Sequence, residues 1–150
     1  MRVLNGAAEV RAMVGQHLGF SDYRVVEQRD VDAFASLTGD DQWIHVDVER
    51  ARHGPFGGTI AHGLFTLSLG PELARSVYRI DGMKMGVNYG YNKIRFPAPV
   101  RVGAKLRLGV TLASVTEVTG GLQITLNFVW EAEGGVKPAC VAEMLLRYSA

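Results

Sequence analysis

A single cysteine, Cys140, excludes an internal disulfide and leaves no second thiol with which to share a metal. Set in the apolar run "PACVAEMLL", it reads as a small buried hydrophobe. Net charge is nearly absent as well. Sixteen Lys and Arg against 15 Asp and Glu leave +1, so non-specific attraction to nucleic acid or an anionic membrane is not expected. No uninterrupted apolar run approaches the roughly 18 residues that a membrane span needs. Residues 1–20 carry Glu9 and lack a continuous apolar stretch, so no secretory leader is expected and a cytoplasmic location follows by default. Linkers, repeats and low-complexity tracts are missing too. What remains is a chain of 150 residues, 47% hydrophobic and 21% charged, the balance of one soluble globular domain over 1–150.

The first half patterns as helix and the second as strand. In "NGAAEVRAMVGQHLG", Asn5 is placed to cap a helix that Gly19 ends, with Val10, Met13, Val14 and Leu18 as its apolar stripe. "SDYRVVEQ" has the composition of a short strand. In "RDVDAFASLTG", Asp30 is the expected cap, Val31, Phe34, Ala35 and Leu37 the stripe, and Gly39 the stop. From Ile60 to about Val77 the chain is apolar almost all round, which predicts a helix buried on every face, kinked or broken after Leu67 by Pro71. Four strand-like runs follow, in residues 84–96, 104–118, 121–133 and 138–150. Alternation is clearest at Leu106, Leu108, Val110 and Leu112 and at Leu122, Ile124, Leu126 and Phe128. Thr119 to Gly121 suits a hairpin turn, and Glu133 to Pro138 a looser one. The expected class is α+β, an antiparallel sheet curled around one long apolar helix.

Against this background the stretch "LTGDDQWIHVDVERA" is overcharged for a core and too apolar for a surface. Asp40 and His45 lie five apart, an offset that separates them on a straight helix or a strand, so they meet only if the chain turns between them. Gly39 and the polar pair Asp41-Gln42 permit that turn, and Trp43 with Ile44 would pin it to the core. Three readings of Asp40 stand side by side. It caps a helix end or its own backbone; it joins a metal site, although no zinc-type spacing is present; or it shares a water with His45 as an acid/base pair at the edge of an apolar pocket. Asp47 is better read as the N-cap of a short helix over "VERARH". In "FGGTIAHG", Gly57-Gly58 would let the backbone come close to a ligand. The helix start just after it would offer free N–H groups to an oxyanion, and His62 reads as a hydrogen-bonded core residue or a second base.

"FASLTGDDQWIHVDVERA", followed by "FGGTIAHGLFTLSL" and by "IRFPAPVRVGAKLRL", resembles the MaoC-like dehydratases, the R-specific enoyl-CoA hydratases, and within them the subgroup similar to nodulation protein N. The likeness runs from about Val25 to the end. The family motif Asp-x-Asn-Pro-x-His stands here as Asp40-Asp41-Gln42-Trp43-Ile44-His45, with both ends kept and Gln42-Trp43 in place of Asn-Pro. Thr59 stands where proline is frequent, and Leu64 where methionine is frequent. The resemblance implies a hot-dog fold and a homodimer whose two sheets join, with active sites near the interface. It also implies a cofactor-free, metal-free reaction on an enoyl or 3-hydroxyacyl thioester of CoA or acyl carrier protein. In that reading Asp40 and His45 activate a water, and Gly63 supplies the N–H that meets the thioester oxygen. Ile60, Ala61 and His62 line the approach. Gly86, Val87, Asn88, Tyr89, Asn92, Pro97, Ala98 and Pro99 lie along the acyl and pantetheine path, and Arg95 or Arg101 would meet CoA phosphates. Two other functions fit the same fold: hydrolysis of the acyl thioester, or non-catalytic binding of an acyl chain. The pairing of Asp40 with His45 argues against both.

Overall fold

In the computed structural model, which describes residues 1–149, the long strands β6 (Lys105–Val118), β7 (Gly121–Ala132) and β8 (Cys140–Ser149) form an antiparallel centre. Their alternation sets which face is buried. Leu108 pairs with Trp130 and Val110 with Phe128, while Trp130 pairs with Cys140 and Leu126 with Met144. All these side chains therefore share one face, and all are buried. β5 (Met85–Arg95) closes one edge beside β8, and β2 (His17–Phe20) with β3 (Arg24–Val25) adds to β6 at the other. The β6–β7 hairpin turns on Thr119-Gly120, where Gly120 takes φ +80°, a value L residues rarely adopt.

The sheet wraps α5 (Gly63–Ser68) and α6 (Gly70–Val77), the two pieces of the central helix, giving the hot-dog arrangement. α5 lies against β8 and α6 against β6. The break falls at Leu69, with Pro71 in the first turn of α6, where its missing N–H costs no helical hydrogen bond. The helix seats deeply because Gly70 has no side chain: a Cβ there would stand 2.8 Å from the Trp130 ring. Cys140 is buried under it, and burial pushes its thiol up to about 12. No helix among the described residues is long and apolar enough to cross a membrane.

Several expectations need correcting. The first helix, α1 (Gly6–Ala12), ends well before Gly19. After a turn at Gly15 (φ +82°) the chain enters β2, so Leu18 is a strand residue and Gly19 lies inside that strand. Asn5 holds the N-cap position without a side-chain cap bond; its N–H instead donates to Glu9 Oε2 at 2.7 Å. β1 (Arg2–Asn5) and its parallel partner β4 (Tyr78–Asp81) carry no periodicity and were not anticipated. α2 (Gln28–Thr38) begins before Asp30, which sits in its first turn and pairs with Arg24 at 3.3 Å. Leu37 is 86% exposed and no part of the core. Ile60 to His62 precede the central helix as extended chain, and Leu64 is 57% exposed, so the helix is not buried all round.

Candidate active site

The turn demanded by Asp40 and His45 is made by one short helix. α2 stops at Gly39, whose φ of +76° needs a glycine, and its N–H donates to the Ala35 carbonyl at 2.9 Å. Asp40, Asp41 and Gln42 form an irregular link to α3 (Trp43–Val46), which carries His45 inward. Trp43 pins this loop, though to the surface and not to the core. It packs against Gly54 and lies under the Arg50 guanidinium, 4.3 Å from the ring centre. Asp47 caps α4 (Val48–Arg52) as expected, its carboxylate accepting from the Arg50 N–H at 3.0 Å.

His45 is 7% exposed and tied down twice. Its Nδ1 lies 2.7 Å from the Ile60 carbonyl, which can only accept, so in the neutral ring Nδ1 carries the hydrogen and Nε2 keeps its lone pair. Its own carbonyl accepts from Gln28 Nε2 at 2.7 Å, and Gln28 Oε1 accepts from Thr59 Oγ1 at 2.6 Å. Thr59, in the position where the resembling family often has proline, thus fastens α2 to the segment before the central helix. A carboxylate oxygen of Asp40 and one ring nitrogen each of His45 and His62 lie within 4.8 Å of one another. A water hydrogen-bonded to two such groups holds them about 4.6 Å apart at ordinary distances and a tetrahedral angle. The 4.8 Å bound leaves room for a shared water. The group suits a metal poorly, because the two imidazoles stack at 3.8 Å with planes 26° apart, and in-plane lone pairs on stacked rings do not converge on one ion.

Beside this group lies a cavity of about 290 Å³ lined by His45, Ile60, Ala61, Gly63, Thr66, Phe96, Ala98, Pro99, Val100 and Ala139. Its wall is mostly apolar. The buried Thr66 hydroxyl has no hydrogen-bond partner among the described residues. The N–H groups of Ile60 and Ala61 are engaged by the carbonyls of Ile44 (3.0 Å) and Val100 (2.8 Å), so neither is free for a ligand. Gly63 opens α5, where first-turn N–H groups have no partner within the helix. Its lack of a side chain also lets the Phe96 ring pack close; a Cβ would stand 2.9 Å from that ring.

The structure divides the remaining expected residues. Ala98 and Pro99 reach the His45 cavity; Pro97 adjoins them in sequence but is not in its lining. Gly86 and Asn88 line a separate cavity of about 290 Å³ between α6 and the sheet, with Tyr78 and Tyr148. Burial pushes the Tyr78 and Tyr148 phenols up. Val87 and Tyr89 are exposed, Tyr89 beneath the Arg147 guanidinium at 3.4 Å, and Asn92 donates to Glu143 at 3.3 Å. β5 runs antiparallel to β8, with Met85 opposite Ser149 and Arg95 opposite Val141. Arg101 donates to the Gly57 carbonyl at 2.8 Å and lies against Gly58, so the glycine pair accommodates an arginine of its own chain. Arg95 donates to the neighbouring Ile94 carbonyl. Sequence reading missed Thr66, Phe96, Val100 and Ala139 in the cavity wall, and Gln28 behind it. An apolar wall carries no signal beyond ordinary core composition, and Gln28 acts through a backbone carbonyl.

The profile described as "MaoC like domain" matches residues 9–127. The chain is 48% identical over 151 residues to 3-hydroxyacyl-thioester dehydratase Z of Mycobacterium tuberculosis, covering 100% of both chains. To nodulation protein N of Rhizobium leguminosarum bv. viciae it is 40% identical over 142 residues, covering 92% of this chain and 88% of the other. The structure of the (R)-hydratase from A. caviae involved in PHA biosynthesis superposes with a TM-score of 0.72 at 25% identity, covering 89% of this chain and 94% of that one.

Proposed function

The chain belongs to the MaoC-like domain family and is a hydro-lyase, and on that premise we propose that it adds water reversibly to trans-2-enoyl thioesters to give (R)-3-hydroxyacyl thioesters. The observation that carries this reading is the Asp40 carboxylate within 4.8 Å of a buried imidazole, beside a mostly apolar cavity. In hydration the shared water attacks C3 as its proton passes to the dyad. His45 Nε2 is the ready acceptor because the Ile60 carbonyl holds the hydrogen on Nδ1. A proton then reaches C2, so H and OH add across the double bond and nothing leaves. Negative charge develops on the thioester oxygen during attack, and in this reading the N–H of Gly63, the first residue of α5, meets it. Dehydration is the reverse. No cofactor takes part, the carrier thiol is CoA or acyl carrier protein, and the cytoplasmic location belongs to the same proposal.

The test is incubation of the purified protein with crotonyl-CoA while enoyl absorbance and free thiol are followed together. Hydration lowers the absorbance without releasing thiol. Thiol release would mean hydrolysis, and saturable binding with neither change would mean a binding module.

The proposal includes a homodimer joined through β5. Among the described residues this strand has one unpaired edge along 11 residues, and it exposes Met85, Val87 and Tyr89, a combination that isolated chains seldom leave open. Light scattering at micromolar protein is expected to give twice the 16.3 kDa chain mass. A particle of 16.3 kDa would count against it.

A further inference from the structure

We propose that His62 is a positioning residue for this reaction, holding Asp40 at water-bridging distance from His45; the inference rests on the hydratase reading of the Asp40–His45 pair. Asp40 needs such a hold. It is exposed, in an irregular link between two helices, and its own N–H reaches only the Thr38 hydroxyl at 3.4 Å. The tie across to the central helix is one hydrogen bond, from His62 Nε2–H to the Asp40 backbone carbonyl at 2.7 Å, spanning 22 residues of chain. His62 is well suited to be the fixed end. It is 3% exposed, directly precedes α5, and has its ring between Phe34 (4.9 Å between centroids) and His45 (3.8 Å). The same ring therefore touches both halves of the pair: it bonds the backbone that bears the carboxylate, and it stacks on the imidazole that faces it.

The protonation pattern agrees with this role. A carbonyl partner puts the hydrogen on Nε2, and the remaining nitrogen, Nδ1, is buried without a partner among the described residues. His62 thus has one N–H and uses it on Asp40, leaving none to give a substrate oxygen. Small displacements of an acid/base group cost rate steeply, since proton transfer needs hydrogen-bond distances at the reacting atoms. Loss of the His62 bond should accordingly lower kcat and leave binding in the apolar cavity nearly unchanged.

Three variants and one spectrum test this. In His62→Gln the amide nitrogen reaches about where Nε2 stands and can donate to Asp40; in His62→Asn it falls short; His62→Phe keeps the stacked ring and removes the donor. With crotonyl-CoA, His62→Asn and His62→Phe are expected to lose about 10- to 100-fold in kcat with KM changed less than about twofold, and His62→Gln to stay within about threefold of the parent. A purely structural role would not separate Gln from Asn. If the phenylalanine variant fails to fold, the two amides alone decide. Parent-like kcat in His62→Asn overturns the proposal. So does a His62→Gln as slow as His62→Asn, because restoring the donor to Asp40 would then restore nothing. Independently of turnover, 15N spectra of the parent imidazoles should place the His62 hydrogen on Nε2, and an Nδ1–H tautomer overturns the proposal outright. An inactive parent with the Nε2–H tautomer would instead sink the hydratase reading while leaving the observed tether intact.

Discussion

Asp40→Asn and His45→Asn should each lower crotonyl-CoA turnover by about a hundredfold or more, the scale on which acid/base groups act. The first variant keeps size and shape and removes the carboxylate. Because Asp40 is exposed, the fold should not notice. The second is chosen from the geometry: an asparagine amide nitrogen stands about where Nδ1 does and can still donate to the Ile60 carbonyl, whereas nothing replaces Nε2. The Gln28 bond to the residue 45 carbonyl is untouched by either change. Loss of rate with KM and melting temperature held would place both groups in the chemical step. Turnover near the parent value in both folded variants would remove the dyad from the mechanism.

Trp130→Ala should have the largest effect on stability. The ring is fully buried between the Gly70 backbone of the central helix and Phe128, which meets it edge-on at 5.5 Å. Truncation leaves a cavity where helix and sheet interlock, at a cost of about 3–5 kcal/mol. For a chain of this length that lowers the melting temperature by about 6–20 °C. Trp130→Phe should cost much less. It keeps most of the volume and deletes the indole N–H, which is buried without a partner among the described residues and so contributes unfavourably to the native state. Thermal denaturation followed by circular dichroism measures both. A shift under about 2 °C for the alanine variant would contradict the packing described.

The sheet was legible in the sequence because each long strand buries one face, and β6 and β7 write that in strict alternation. The N-terminal region was not. Val10, Met13, Val14 and Leu18 fit one helical stripe, yet the turn at Gly15 divides them between a helix and a strand. Periodicity cannot separate those cases over so few residues, and it cannot mark four-residue strands such as β1 and β4 at all. Leu37 shows the related limit: at the last turn of α2 the apolar pattern continues after the buried face has rotated to solvent.

For the site, the offset of five from Asp40 to His45 demanded a turn, and the structure supplies one. What secures the two residues was hidden, because His62 and Gln28 act on the carbonyls of Asp40 and His45, groups that every residue possesses. The family likeness placed the β5 residues beside the substrate. Within the protomer, Gly86 and Asn88 line a cavity against α6, separate from the one that His45 lines.

The proposed reaction puts the oxygen of a water molecule on C3 of an enoyl thioester. Mass spectrometry of crotonyl-CoA incubated with the protein in H₂¹⁸O tests it most directly. The expected product is 3-hydroxybutyryl-CoA carrying one ¹⁸O on C3, with the thioester intact and its carbonyl unlabelled. Label in a released carboxylate alongside free CoA, or an unlabelled and unchanged enoyl thioester, would contradict it.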